Sequence, residues 1–265
     1  MQKKKSLGQH FLNSAHYLQA VADAAHIKAG ETVLEIGPGE GTLTAVLLER
    51  GARVVAVEKD SRLIPLLREK FKHFDISKFQ VIEGDALDFD ISKCKNFDIS
   101  RGRYAAVGNI PYYITGALFK KFLTAPHQPS TLVFLIQKEV AERIARSKKE
   151  SILSLSIKAY GTPKYIKTVP AGAFSPPPKV DSAILEVENI SRKNFVNAAH
   201  EEKFFALVRK GFAQKRKFLS SNLGPSHSNI LQNVGVNPKA RAEDVPLEQW
   251  LALSKAGELD ISKTN

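Results

Sequence analysis

The chain has a single cysteine, Cys94, in 265 residues. One thiol excludes an internal disulfide and any metal centre built from several cysteines. The surrounding "ISKCKNF" reads as a loop between strands, with an inert thiol of a reducing cytosol. Long apolar runs are missing too. The longest strongly apolar stretch, "LVFLI" at 132–136, is far shorter than the roughly 20 residues a bilayer-spanning helix needs. The basic opening "MQKKKSLGQHFL" has no long apolar stretch behind it and does not read as a secretory signal. A cytoplasmic, membrane-free protein is expected from these absences. Acid is the other shortage. The 27 Asp and Glu residues face 39 Lys and Arg, for a formal net charge of +12. An excess on this scale points to a polyanion, nucleic acid ahead of an anionic membrane face. His16, His26, His73, His127, His200 and His227 have no metal-like spacing, so no metal is expected and these residues are read as surface or packing groups.

What is present is ordinary for a soluble globular protein, with 43% hydrophobic and 25% charged residues. Helical apolar rhythm runs through 15–29 and stops at Gly30. Short buried strands are expected at 32–36, 53–60, 79–89, 104–113 and 131–137, with helices between them, and a late strand at 182–190. Pro65 falls near the first turn of one such helix, where its missing N–H costs little. Residues 153–161 fit a helix or a strand equally well. Strands alternating with helices predict an α/β fold with a mostly parallel sheet covered on both faces, whose ligands bind beyond the carboxyl ends of the strands. After residue 190 the strands give way to short helices. The expected division is therefore a catalytic domain over 1–190, led by a basic arm at 1–14, and a small helical domain over 191–265.

"EIGPGEG" at 35–41 puts three glycines between a strand and a helix. Glycine permits positive φ and close approach of backbone to a ligand, and the helix N-terminus adds partial positive charge. A dinucleotide-binding turn would carry G-x-G-x-x-G, but here the third glycine arrives one residue early and Thr42 holds the expected position. The sequence Glu35, Gly37, Gly39, Gly41 resembles motif I of the S-adenosylmethionine-dependent methyltransferases. Glu58 ends the second strand, twenty-one residues after Gly37, where a carboxylate can accept both ribose hydroxyls of a nucleoside. Asp85 ends the third strand, where it can accept from an adenine amino group while Ala86 supplies a backbone donor.

The fourth strand runs into "NIPY" at 109–112. The exocyclic amine of adenine is a poor nucleophile because its lone pair is delocalised into the ring. Two oxygen acceptors can hold its N–H groups and favour pyramidalisation as positive charge develops. The Asn109 side chain can supply one. Pro111 fixes the turn so that the carbonyl of residue 110 or 111 becomes the other, and Tyr112 can stack on the base. This is positioning with electrostatic stabilisation, and it needs no strong base. The tetrapeptide resembles motif IV of amino-group methyltransferases acting on adenine. Phe174, ahead of the prolines in "FSPPPKVDS", can close the other face of a flipped base.

Taken together, "KSLGQHFL", "EIGPGEGTLT", "GNIPYYIT", "FSPPPKVDSA" and "LVRKGFAQKRKFLSSNL" resemble the KsgA family of ribosomal RNA adenine dimethyltransferases over nearly the whole chain. The resemblance implies a Rossmann-like S-adenosylmethionine-dependent methyltransferase domain with a small helical C-terminal domain. It implies two methyl transfers to each of two adjacent adenosines near the 3′ end of 16S ribosomal RNA in the small subunit, and a role in subunit biogenesis. It also carries cofactor contacts onto His10, Leu12, Gly37, Glu58, Asp85 and Asn109. Where this chain has His10 the family often has Asn, a change that a backbone contact survives. "QKRKFLSSNL" departs from the more usual family spelling in several places.

Arg209, Lys210, Lys215, Arg216 and Lys217 fall within nine residues that contain no acid. On one continuous helix they lie roughly on a single face, opposite an apolar stripe of Phe204, Val208, Phe212 and Leu219. They are read as contacts to RNA phosphates, giving affinity and salt dependence but little sequence choice. Lys3, Lys4 and Lys5 make a second patch. Two rivals remain: an Erm-type enzyme acting on 23S ribosomal RNA, and an RNA-binding assembly factor without catalysis. A monomer is expected, since no extra interface segment shows.

Overall fold

The computed structural model describes residues 10–90, 94, 97 and 104–259. Lys3, Lys4 and Lys5 lie outside them. The chain divides into two compact units, residues 1–141 with 162–190, and residues 142–161 with 191–265.

Among the described residues the first unit holds all nine strands: β1 (Phe11–Leu12), β2 (Thr32–Ile36), β3 (Arg53–Glu58), β4 (Phe79–Glu83), β5 (Tyr104–Asn109), β6 (Thr131–Gln137), β7 (Thr162–Val169), β8 (Phe174–Ser175) and β9 (Ser182–Glu188). Helices α1 (Ala15–Ala24), α2 (Thr42–Glu49), α3 (Leu63–Lys70) and α4 (Thr115–Thr124) connect them, and α5 (Lys138–Ala145) follows β6 across the division. Seven strands form one sheet in the order β4–β3–β2–β5–β6–β9–β7. The five from β4 to β6 run parallel, while β9 pairs antiparallel with both β6 and β7. β2, β5 and β6 are nearly continuous apolar runs and are buried along almost their full length, as interior strands covered on both faces must be. Each fully buried Val, Leu or Ile contributes about 1.5–3 kcal/mol. This is a Rossmann-like doubly wound sheet. The chain steps outward from β2 through β3 to β4, then returns to place β5 on the other side of β2. The reversal opens a crevice at the carboxyl ends of β2 and β5, where Ile36 pairs with Gly108.

Three strands were not expected, the two-residue β1 and β8 and the longer β7. β7 reads T-P-K-Y-I-K-T-V and lies at the sheet edge, alternating between exposed and half-buried residues. Lysine and proline are common edge devices, and they hide the apolar signal that marks an interior strand. The neighbouring segment that fitted either element is helix α6 (Ile152–Lys158) in the second unit, opened by a capping box between Ser151 and Ser154.

In the second unit, regular structure among the described residues is helical: α6, α7 (Ala198–Gly211), α8 (Leu219–Leu223), α9 (Ser228–Asn233) and α10 (Leu247–Leu259), with the end of α5. The Asn197 side chain caps α7 by accepting the His200 N–H at 2.8 Å. That helix stops at Gly211, so the expected continuous helix through residue 217 is corrected here. The fully buried Trp250 sits against Gly211 so closely that a Cβ there would lie 2.3 Å from the indole. Residues 212–217 form turns instead. Among the described residues no helix is long and apolar enough to cross a membrane. Cys94 is buried, and burial pushes its thiol up to about 11, which keeps it protonated and unreactive.

Candidate active site

The turn after β2 is built on Gly37, Gly39 and Gly41, with φ of +66°, +59° and +74°. Gly39 is needed twice over. Its φ is left-handed, and a Cβ would meet the Phe11 ring at 2.6 Å. The end of the N-terminal arm is therefore laid over the glycine turn. Two further bonds fix it: Thr42 donates its hydroxyl to the Leu12 carbonyl at 3.0 Å, and β1 pairs antiparallel with β8.

Three strand ends bring polar groups to this crevice. Glu58 closes β3 and is buried. Its Oε2 accepts the Gly39 N–H at 3.1 Å and its Oε1 accepts the Asp60 N–H at 2.8 Å. Burial raises its carboxyl above the usual range, and those two backbone donors pull it back. Asp85 follows β4. The Lys59 ammonium lies 2.7 Å away, and the Leu87 N–H donates to the other oxygen at 2.9 Å. Lys59 first, and then Leu87, hold this carboxyl below the ordinary value, so it stays ionised. Lys121 on α4 donates to the carbonyls of Leu87 and Phe89 at 2.8 and 2.6 Å and ties down the loop that carries Asp85.

Asn109 is the last residue of β5. Its amide nitrogen donates to the His10 carbonyl. The amide is thereby oriented, and its oxygen is left as the free acceptor. His10 in turn donates from Nδ1 to the Pro176 carbonyl at 2.8 Å. Tyr112 is pinned through its hydroxyl to Ser182 Oγ at 2.8 Å, and Ser182 is buried on β9.

These groups line one cavity of about 390 Å³. It brings together His10, Gly37, Gly39, Glu58, Asp85, Ala86, Asn109, Pro111 and Tyr112, all expected from the sequence. Four expected residues do not line it. Glu35 is 1% exposed and accepts the Thr44 hydroxyl at 2.6 Å, while burial pushes its carboxyl up to about 7. It braces the turn from beneath. Gly41 faces α3, against Phe71 and Leu67. Leu12 is a core residue whose carbonyl is taken by Thr42. Phe174 is buried on β8 within the core, so in this structure it offers no face to a base.

Phe11, Lys59 and Tyr113 also line the cavity and were not singled out beforehand. Their neighbours in the chain, His10, Glu58 and Tyr112, were the available signal. The five cations read as RNA contacts are all exposed. Arg209 and Lys210 end α7, and Lys215, Arg216 and Lys217 lie on the turns beyond it. None of their side chains enters a hydrogen bond or ion pair among the described residues. Outside the cavity, His26, Glu186 and Glu188 gather their ligand atoms within 4.8 Å of one another, a cluster that spacing along the chain could not reveal. His26 lies 3.0 Å from Glu186, and Lys164 pairs with Glu188 at 2.7 Å.

The family described as ribosomal RNA adenine dimethylase matches residues 1–258. The chain belongs to that family. A ribosomal RNA small subunit methyltransferase A from Dehalococcoides mccartyi is 40% identical over 267 residues, covering 97% of this chain and 90% of the relative. The protein of the same name from Deinococcus radiodurans is 40% identical, over 95% of this chain and 85% of its own length. Among solved structures, a dimethyladenosine transferase from Plasmodium falciparum matches with a TM-score of 0.80 at 25% identity, covering 96% of this chain and 98% of that one. The 23S rRNA methyltransferase ErmE matches at 0.72 and 29% identity, covering 92% and 98%. Both solved proteins share this fold along nearly the full chain.

Proposed function

We propose that this protein transfers methyl groups from S-adenosylmethionine to the N6 amines of two adjacent adenosines near the 3′ end of 16S ribosomal RNA in the small subunit. In this reading it acts as a cytoplasmic monomer during small-subunit biogenesis. The observation that carries it is the bond from the Asn109 amide nitrogen to the His10 carbonyl, which commits the amide to presenting its oxygen.

The cavity fits the cofactor by size and by its donor set. About 390 Å³ is within the range of small-ligand sites. Glu58, oriented by two backbone N–H groups, keeps lone pairs for ribose hydroxyls. Asp85, ionised, accepts an adenine amino group, and the Ala86 N–H is the matching donor. Gly37 and Gly39 let the backbone approach the amino-acid end, with His10 above. When bound, the cofactor supplies an electrophilic methyl group.

The rest is done by the chain. Asn109 Oδ1 holds one N–H of the target amine. The Ile110 carbonyl holds the other, since it enters no bond among the described residues, whereas the Pro111 carbonyl already accepts the Ile114 N–H at 3.1 Å. Both oxygens favour the cation as nitrogen gains a fourth bond, and the proton it sheds leaves to water. Tyr112, locked by Ser182, covers one face of the base. Arg209, Lys210, Lys215, Arg216 and Lys217 hold RNA phosphates.

The fold similarity to ErmE favours one alternative, action on 23S ribosomal RNA. Incubating isolated, unmethylated small and large subunits with the protein and methyl-labelled cofactor separates the two. Label on the small subunit is expected. Label on the large subunit alone overturns the assignment, and RNA binding without any label favours a non-catalytic assembly factor.

A further inference from the structure

Tyr112–Ile114 form a single 3₁₀ turn. At three residues per turn, consecutive side chains on it diverge by roughly 120°. Tyr112 takes the inward direction and is fixed by Ser182. Tyr113 takes the outward one. It is 70% exposed, more than any other large hydrophobic residue at the cavity, and it lines the same cavity as Asn109. No hydrogen bond or ring contact holds it among the described residues. Packing does not account for a rigid aromatic ring standing in water at the lip of a base-binding crevice, and folding gains nothing from leaving it there. Lys59 stands at the same lip. Its ammonium is 2.7 Å from Asp85 and within electrostatic reach of the Tyr113 phenol.

We propose that Tyr113 is a second nucleobase site: a stacking platform for the unpaired nucleotide next to the adenosine in the cavity, with Lys59 facing its phosphate. The inference rests on the methyltransferase reading and deepens it. A base drawn into the cavity leaves its neighbour unstacked, and an exposed aromatic face offers that neighbour a replacement surface that tolerates any base. The ligand class follows from the chemistry at the lip, where an aromatic face beside a cation suits a nucleotide. Because the target is a pair of adjacent adenosines, one can lie on Tyr113 while the other reacts. The motif around Asn109 would then hold both members of the pair, one on each of two consecutive tyrosines.

The test uses the full chain and unmethylated small subunits, with Tyr113→Phe, Tyr113→Trp, Tyr113→Leu and Tyr113→Ala. Loss of one stacked base is expected to raise the KM for subunits about 5- to 100-fold in the Leu and Ala variants. Phe and Trp keep the wild-type value, and the KM for S-adenosylmethionine stays unchanged throughout. The unchanged cofactor KM also reports that the variants fold. A Leu variant with wild-type KM for subunits overturns the inference, because apolar bulk without a π face suffices. A Phe variant as poor as Leu, or a cofactor KM that rises in step, overturns it as well, since Tyr113 would then act through its hydroxyl or by shaping the cofactor cavity. If wild-type protein leaves small subunits unlabelled, the methyltransferase reading falls and takes this inference with it. An active wild type with an unaffected Leu variant removes this inference alone.

Discussion

The crevice of the first unit and the basic segment of the second are both polar, and they are built in opposite ways. In the crevice each functional group is already engaged. Glu58 is held by two backbone donors, Asp85 by Lys59 and Leu87, Asn109 by His10, and Tyr112 by Ser182. On the basic segment, Arg209, Lys210, Lys215, Arg216 and Lys217 are exposed and hold nothing among the described residues. The first arrangement fixes where charge will be met and loses little to reorganisation when it develops. The second is a diffuse field that gives affinity for any phosphate backbone and is weakened by salt. In the proposed reading one region sets the chemistry and the other the residence of RNA, so substitutions in them should be distinguishable by what they change.

The largest break is expected at Asn109. Asn109→Ala removes an oriented acceptor and should lower the rate of methyl transfer by about 100-fold or more, with RNA binding in a filter or gel assay kept. Unchanged turnover would refute its role. Next is Asp85→Asn, which turns an acceptor-only group into one that also donates. The KM for S-adenosylmethionine should rise about tenfold or more, with the KM for subunits unchanged. The basic segment should respond more gently. Arg216→Ala is expected to leave kcat alone and to reduce the slope of log affinity against log salt by about 1. A change in kcat with no change in that slope would put Arg216 in the wrong region.

The smallest effect on turnover belongs to Glu35, and its signature is pH. The folded carboxyl is raised by burial to about 7 from its ordinary value of 4.5. Between those values the folded state binds more proton than the unfolded one, so stability falls as pH rises through that window and levels off above it. Glu35→Gln should abolish this slope. Thermal unfolding of both proteins from pH 4.5 to 8 should show the wild type losing ground to the variant up to about pH 7. A difference that does not vary with pH would contradict the buried, proton-holding carboxyl.

The interior of the first unit was legible because its strands are uniform. "TVLEI" and "TLVFLIQ" are short apolar runs between turn signals, and β2 and β6 occupy those same residues. The glycine turn and "NIPY" were legible because few residue types tolerate those backbones. What escaped depended on partners distant in sequence. Glu35 sits among the motif's letters yet faces Thr44, because which side of a buried strand a residue faces is decided by the helix packed on it. Phe174 sits ahead of a proline run that suggested a presenting loop, but pairing of β8 with β1 draws it into the core. The helix bearing the cations ends at Gly211, which packs against Trp250 about forty positions on, a contact no local pattern announces. Tyr113 stands exposed at the cavity through a 3₁₀ turn that the spacing of the motif does not announce.

The claim on which the account depends is that Asn109 turns its oxygen toward the base. A crystal structure with adenosine and S-adenosylhomocysteine reads this directly. The account predicts the adenosine N6 within about 2.7–3.2 Å of Asn109 Oδ1, with Nδ2 still donating to the His10 carbonyl. An amide turned the other way, with Nδ2 toward the base and the bond to His10 lost, would contradict it.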